Sequence, residues 1–236
     1  MTASNDDQVM LVRSVGESRQ APQQVGYLGE AEMQRMLADQ PSLVPGVSAQ
    51  AAAAQEFQSG VGPSEVVVVD VDGSVTVVEC KLASNVEVRR KIVGQVLDYV
   101  ARLWRMPIAD FEARWRACSG GVGVLASLDE QAVADLTTTL EQGFFRLVLA
   151  VESINEDLRT IVEFLNAHTT EQVTVLALEL RRASHGGFDI LTPRTFGGEL
   201  ARAKQEKAQR PRCCQVRLSP ATDGDVHRDC LPAHAV

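Results

Sequence analysis

Residues 65–82 read EVVVVDVDGSVTVVECKL, and the way this stretch folds back on itself decides how the chain is understood. Two β-branched runs flank Asp72-Gly73, which is the pattern of a β-hairpin. Side chains two apart on a strand share a face, so Glu79 and Lys81 project together while Val78 and Cys80 face the other way. The turn decides where Glu65 falls. A three-residue loop, Val71-Asp72-Gly73 with Gly73 left-handed in a G1 bulge, pairs Val69 with Val75 and sets Glu65 opposite Glu79. A two-residue loop, Asp72-Gly73, pairs Glu65 with Cys80 instead and turns it to the other face. In the first register two carboxylates meet across the ladder and repel unless a positive charge sits between them. Mg²⁺ takes oxygen ligands from carboxylates, a backbone carbonyl and water, and a neighbouring lysine can orient attacking water or stabilise a charged transition state. That is a donor set for phosphodiester hydrolysis.

Upstream, 28–39 (LGEAEMQRMLAD) places Met33, Met36 and Leu37 on one side of a helix that stops before Pro41. An Ala-rich loop with weak strand character then leads into the hairpin. Downstream, Ser84 and Glu87 form a capping box ahead of 86–104, where Val88, Ile92, Val96, Val100 and Leu103 recur at helical spacing. Two amphipathic helices are expected over 108–117 and 128–142, around a Gly-rich connection. The strand 145–151, a helix over 154–168 and the strand 173–180 form a βαβ unit whose apolar strands call for burial on both faces. Helix, hairpin, helix, then βαβ predicts an α/β fold with a mixed sheet flanked by helices. Residues 25–196 are expected to form one domain. Residues 1–24 and 197–236 lack apolar periodicity and are expected to be disordered.

The motif Glu65…Glu79-Cys80-Lys81 resembles the signature of PD-(D/E)XK nucleases, whose core is restriction-endonuclease-like. Gln95-Val-Leu-Asp-Tyr99 resembles the QxxxY motif that follows it in the RecB-like and NucS-like branches, and i,i+4 neighbours share one helix face. The similarity spans about residues 26–182 and favours the register with Glu65 opposite Glu79. It implies a Mg²⁺- or Mn²⁺-dependent deoxyribonuclease. By that resemblance Glu65 and Glu79 would hold the metal with the Cys80 carbonyl and Glu30 assisting, Lys81 would position or activate water, and Gln95 and Tyr99 would orient Lys81 and nearby phosphate. Glu30 is preferred to Glu32 because it lies three and seven residues before Met33 and Leu37, on the core side. The family usually carries Asp where this chain has Glu65. One extra methylene matters to an ion that tolerates little geometric error, so the alternative is a catalytically silent nuclease-fold module that binds nucleic acid or a protein partner.

The chain has 236 residues, 45% of them apolar and 23% charged, with a net charge of −8. That composition suits a globular protein and argues against a surface that coats nucleic acid throughout. Charge is uneven, however. Residues 79–116 hold eight basic and five acidic side chains, +3, between acidic flanks. In that stretch Arg89, Arg90 and Lys91, with Arg102 and Arg105 on later turns, are candidates to track a phosphate backbone, single-stranded or branched DNA rather than plain duplex. A homodimer is compatible with these features. No long apolar run or signal-peptide pattern is present, so a cytoplasmic location is expected. The five cysteines show no regular spacing and are expected to be reduced thiols, and Cys213, Cys214, His227, Cys230 and His234 match no standard zinc pattern.

Overall fold

The computed structural model describes residues 10–13, 15–16, 18–58, 63–82 and 86–209, with backbone alone for 63–65, 86–92 and 205–209. The deciding hairpin forms as the three-residue loop requires. Strands β3 (Pro63–Val69) and β4 (Val75–Lys81) pair antiparallel, with Val69 opposite Val75 and Val66 opposite Val78. Asp70 accepts from the Gly73 amide at 2.9 Å, and Gly73 sits at φ 77°. Only glycine fits there, because a Cβ would meet the Ala132 carbonyl oxygen at 2.3 Å as well as adopting the left-handed conformation. The turn is thereby seated under the first turn of a later helix, and the register is fixed at both its ends.

Around this hairpin the described residues build a seven-stranded mixed sheet and six α-helices, the α/β class expected from the order of elements. Strand β2 (Ala52–Gln58) pairs antiparallel with β3, while β5 (Phe145–Val151) and β6 (Val173–His185) continue from β4 in parallel. A two-residue β1 (Gln23–Gln24) and the longer β7 (Phe188–Phe196) both pair antiparallel with β6. Helices α1 (Glu30–Asp39), α2 (Val86–Leu103), α3 (Ile108–Cys118), α4 (Glu130–Gln142), α5 (Glu156–His168) and α6 (Gly198–Gln209) cover the sheet.

Alternation along the strands separates two cores. Val67, Val69, Val75, Val77, Leu147, Leu149, Val175 and Ala177 face α2 to α5, where Val96, Leu103, Phe111, Trp115, Leu136, Leu140 and Val162 are buried. Val66, Val68, Val78, Cys80, Val148, Ala150, Leu176 and Leu178 face α1 through Met33 and Leu37. The central strands are apolar on both faces because both are covered. Helix starts follow local chemistry: the Asp129 carboxylate accepts from the Ala132 amide at 2.8 Å and the Asn155 amide oxygen from the Leu158 amide at 3.0 Å. Gly143, left-handed at φ 82°, ends α4.

Four expectations change. The Ala-rich stretch forms β2, where pairing with β3 overrides the poor strand propensity of alanine. Within it Glu56 is left-handed at φ 51°, which breaks the alternation and lets Phe57, three residues after Ala54, enter the same core. There Phe57 packs on Phe111 with ring centroids 5.1 Å apart. Strand β7 forms despite Pro193, which lies opposite Leu180 on the outermost strand, where a missing N–H is tolerated. The region expected to be disordered from residue 197 begins instead with α6. Lys204 donates from α6 to the Val173 carbonyl at 2.6 Å, and Ala201 packs against the second core. At the other end, β1 and a bridge between Val12 and Gln20 replace part of the expected disorder. The capping box at Ser84 and the Cys/His tail beyond residue 209 lie outside the described residues.

Candidate functional site

The parallel strands β4 and β5 end level with each other, beside β6, which runs six residues further, and Glu79 and Lys81 lie at that carboxyl edge, where open α/β sheets bind ligands. Lys81, Val151 and Glu179 form one row across the three strands, two residues beyond the row of Glu79, Leu149 and Ala177. Glu79 follows Val75 and Val77 on the first face, and its side chain is 0% exposed. A carboxylate that deep pays a desolvation cost unless a positive group stands beside it. Lys81 supplies one, with Nζ 3.3 Å from Glu79 Oε1.

The same ammonium reaches across the end of the sheet. Lys81 is the last residue of β4, so its side chain can wrap past its own strand and donate to the Cys80 carbonyl at 2.9 Å and to Glu30 Oε2 at 3.0 Å. Two carboxylates from opposite layers thus meet one cation. Cys80 is buried in the second core, as a small apolar residue would be, but its carbonyl is engaged by Lys81 rather than open.

Glu30 comes to Lys81 because Met33 and Leu37, three and seven residues on, anchor that side of α1 in the second core. Glu32, turned away from it, accepts from the Leu28 amide at 2.7 Å and pairs with Arg182 Nη1 at 2.7 Å. The Leu28 N–H and the Arg182 guanidinium hold the Glu32 carboxyl below its ordinary value. Arg182 is tied to Asp189 as well, at 2.9 Å.

Continuing the hairpin register one residue past the Val66–Val78 pair sets Glu65 opposite Glu79, and the Glu65 side chain lies outside the described residues. On α2, Tyr99 is buried beside Val96 and Val100, and the Oε1 of Gln95 is buried with no hydrogen-bond partner among the described residues. Arg89, Arg90 and Lys91 occupy the first turns of α2, and their side chains lie outside the described residues. Arg102 and Arg105 do not join them. They stand about 20 Å further along the chain at 1.5 Å per residue, where Arg102 lies 3.8 Å from Asp98 and the Arg105 guanidinium covers the Trp104 ring.

Three residues at this edge were missed in the sequence. Glu179, buried on the same face as Glu79, accepts from the Ile154 amide at 2.7 Å and lies 2.8 Å from Arg181 Nε and 3.9 Å from Arg194 Nη1. The signal was Gly186-Gly187, a two-residue hairpin with both glycines at positive φ, which sets Glu179 directly opposite Arg194.

The donor chemistry suits a hard cation. Carboxylates of Glu79 and Glu30 and the Cys80 carbonyl converge on one ammonium nitrogen, and the oxygens around Lys81 are of the kind Mg²⁺ or Mn²⁺ accepts. Among the described residues no group of three or more His, Cys, Asp or Glu side chains is placed to hold a metal ion, and no helix is long and apolar enough to cross a membrane. Compared with protein-family models, with curated proteins and with solved structures, the chain finds no match.

Proposed function

We propose that this chain is a Mg²⁺- or Mn²⁺-dependent deoxyribonuclease that hydrolyses phosphodiester bonds in single-stranded or branched DNA. The observation that carries the reading is a wholly buried glutamate paired to a lysine two residues on, at the carboxyl end of a hairpin strand in the middle of a mixed sheet. A buried carboxylate–ammonium pair is weak evidence for stability and better evidence for a working site, since well-packed apolar residues would serve the fold at least as well. Glu65 and Glu79 would hold the metal with the Cys80 carbonyl, and Glu30 would assist. When bound, the ion supplies charge neutralisation at the phosphate.

The remaining steps belong to the chain. Lys81 orients a water for in-line attack on the scissile phosphorus and donates a hydrogen bond to a non-bridging phosphate oxygen, whose charge grows as the new P–O bond forms; the water gives its proton to solvent, and the leaving sugar oxygen takes one from solvent as its P–O bond breaks. Glu30 sets where the lysine ammonium points, and Gln95 on α2 offers its buried amide to the same interior. The test is a cleavage assay on single-stranded, branched and duplex DNA with Mg²⁺ or Mn²⁺. Cleavage that needs metal and disappears in Glu79→Gln and Lys81→Met supports the reading, and inactivity on every substrate with both metals ends it.

One observation favours a second reading. Lys81 already stands against both carboxylates, so half of their charge is offset without any added cation. A silent module with this fold would bind DNA equally well with and without metal, and cleave none.

A further inference from the structure

At the opposite edge of the sheet, where β4, β5 and β6 begin, the row Thr76, Arg146, Thr174 crosses the three parallel strands. It lies five residues back from the row of Lys81, about 17 Å at ~3.3 Å per residue. The half-buried Arg146 spends one nitrogen on the fold: Nη1 donates to the Gly46 carbonyl at 3.0 Å and to the Thr76 hydroxyl at 3.2 Å. Its Nη2 and Nε have no hydrogen-bond partner among the described residues. Asp72 and Asp70, the acids that act on this guanidinium, form no ion pair with it, and Asp70 is taken up by the Ser48 and Val71 amides. Gly46, left-handed at φ 74°, lets the backbone lie against the guanidinium, since a Cβ there would come within 3.2 Å of its central carbon.

The unused donors line a cavity of about 850 Å³. Thr174 lines it too, 6% exposed, and its hydroxyl has no hydrogen-bond partner among the described residues. A further wall is the start of α6, where the amides of Gly198, Glu199 and Leu200 precede the first helical bond, from Ala201 to Gly197. Glu163, Glu199 and Arg202 complete the charged lining, and all three are exposed, so Arg146 is the charge held furthest from water.

We infer that this cavity binds the phosphate group of a small phosphate monoester, held by the Arg146 fork and the Thr174 hydroxyl with the first turn of α6 facing its charge. Unused donors of three kinds call for a partner that accepts from all of them. A planar guanidinium takes two phosphate oxygens, and the hydroxyl and helix amides suit the third. The cavity has room for an organic group beyond the phosphate. The exposed Glu163 and Glu199 at its mouth repel the neighbouring phosphates of a nucleic-acid strand, which selects an isolated phosphate. None of this rests on the nuclease reading, because the two sites stand at opposite ends of the strands.

The experiment is calorimetric titration of the full chain with inorganic phosphate and with phenyl phosphate at fixed ionic strength. The wild type is expected to bind both, and Arg146→Met neither. Thr174→Val keeps the shape of the side chain and removes the hydroxyl, and is expected to weaken binding about tenfold, the worth of one charge-assisted hydrogen bond. Thr174→Ser is expected to restore it, and this pair keeps the test valid if Arg146→Met unfolds. DNA cleavage, measured alongside, is expected to be the same in Thr174→Val as in the wild type. A wild type that binds neither probe at millimolar concentration overturns the inference and leaves the nuclease reading intact. Unchanged affinity in Thr174→Val, or an equal loss in Thr174→Ser, overturns it as well. A chain that ignores both probes but binds a single-stranded oligodeoxynucleotide through Arg146 overturns it in favour of a backbone phosphate.

Discussion

Helix α1 sends two glutamates from its first turn into two ionic clusters, and the clusters differ in kind. Glu30 meets Lys81 at the end of β4, and Glu32 meets Arg182 at β6. Arg182, Glu32 and Asp189 lie at the surface, each with water on one side, and their pairing fastens α1 and the β6–β7 hairpin together. The Lys81 cluster includes Glu79, from which water is fully excluded. Surface ion pairs are worth little and are tolerated anywhere, whereas an enclosed carboxylate is costly and persists where something uses it. Two clusters with similar distances are thus separated by burial: one is a fastening and the other a candidate site.

The largest effect should come from breaking the enclosed cluster on one side only. Lys81→Met removes the ammonium that lies 3.3 Å from the buried Glu79 carboxylate, and urea unfolding should show a loss of about 3–5 kcal/mol. The double variant Glu79→Gln with Lys81→Met should recover most of that loss while remaining inactive; recovery of activity would rule out the proposed role of the pair. In the cleavage assay, Glu79→Gln alone should reduce kcat by about 10²- to 10⁴-fold, the range for a group acting on the reacting atoms.

Next in size is the turn that sets the register beneath this cluster. Gly73→Ala combines a left-handed backbone with a contact against the α4 carbonyl, and should cost about 2–4 kcal/mol by denaturant unfolding. A loss below about 1 kcal/mol would mean that α4 gives way easily and that the turn does not hold the register.

Cutting the exposed cluster should do far less. Arg182→Met is expected to lower Tm by only a few degrees and to leave cleavage unchanged. A collapse comparable to that of Lys81→Met would erase the distinction between the two clusters.

The smallest effect concerns pH. Burial alone would raise the Asp70 carboxyl, but donation from the Ser48 hydroxyl and amide and from the Val71 amide, with Arg146 nearby, outweighs it and holds the group below its ordinary 3.8. A depressed carboxyl contributes stability that is complete above 3.8 and fades as pH falls through the lower folded value. Tm of the wild type should therefore drop below about pH 4 more steeply than that of Asp70→Asn, and parallel curves would contradict this account.

The hairpin, helix α2 and the βαβ unit were legible in the sequence because each is written locally, in a turn or an apolar period, whereas the hairpin register was chosen by the resemblance to nucleases. Glu30 was legible through its spacing to Met33 and Leu37. Strand β2 was hidden because its residues are chosen by what covers them, three alanines against β3, and not by strand propensity. Pro193 masked β7, and the Gly197-Gly198 pair that reads as a break leads straight into α6, whose first residue is Gly198. The Glu179 rim was missed for a different reason. Its carboxylate closes an apolar run, and its partner Arg194 is brought to it by a hairpin that had not been read. The resemblance to nucleases directed attention to β4 and supplied no reason to look two strands away.

Both free edges of the sheet carry a feature that spoils them as templates. On β7 it is Pro193, which has no N–H to offer an incoming strand, and on β2 it is the left-handed Glu56, whose neighbour Gln58 already gives its carbonyl to Arg114 at 2.6 Å. Flat, unguarded edges invite other chains to add on, and these are neither flat nor fully unpaired. Strand-to-strand joining of copies is therefore discouraged at both edges, which leaves the helical layers as the ground for any self-association.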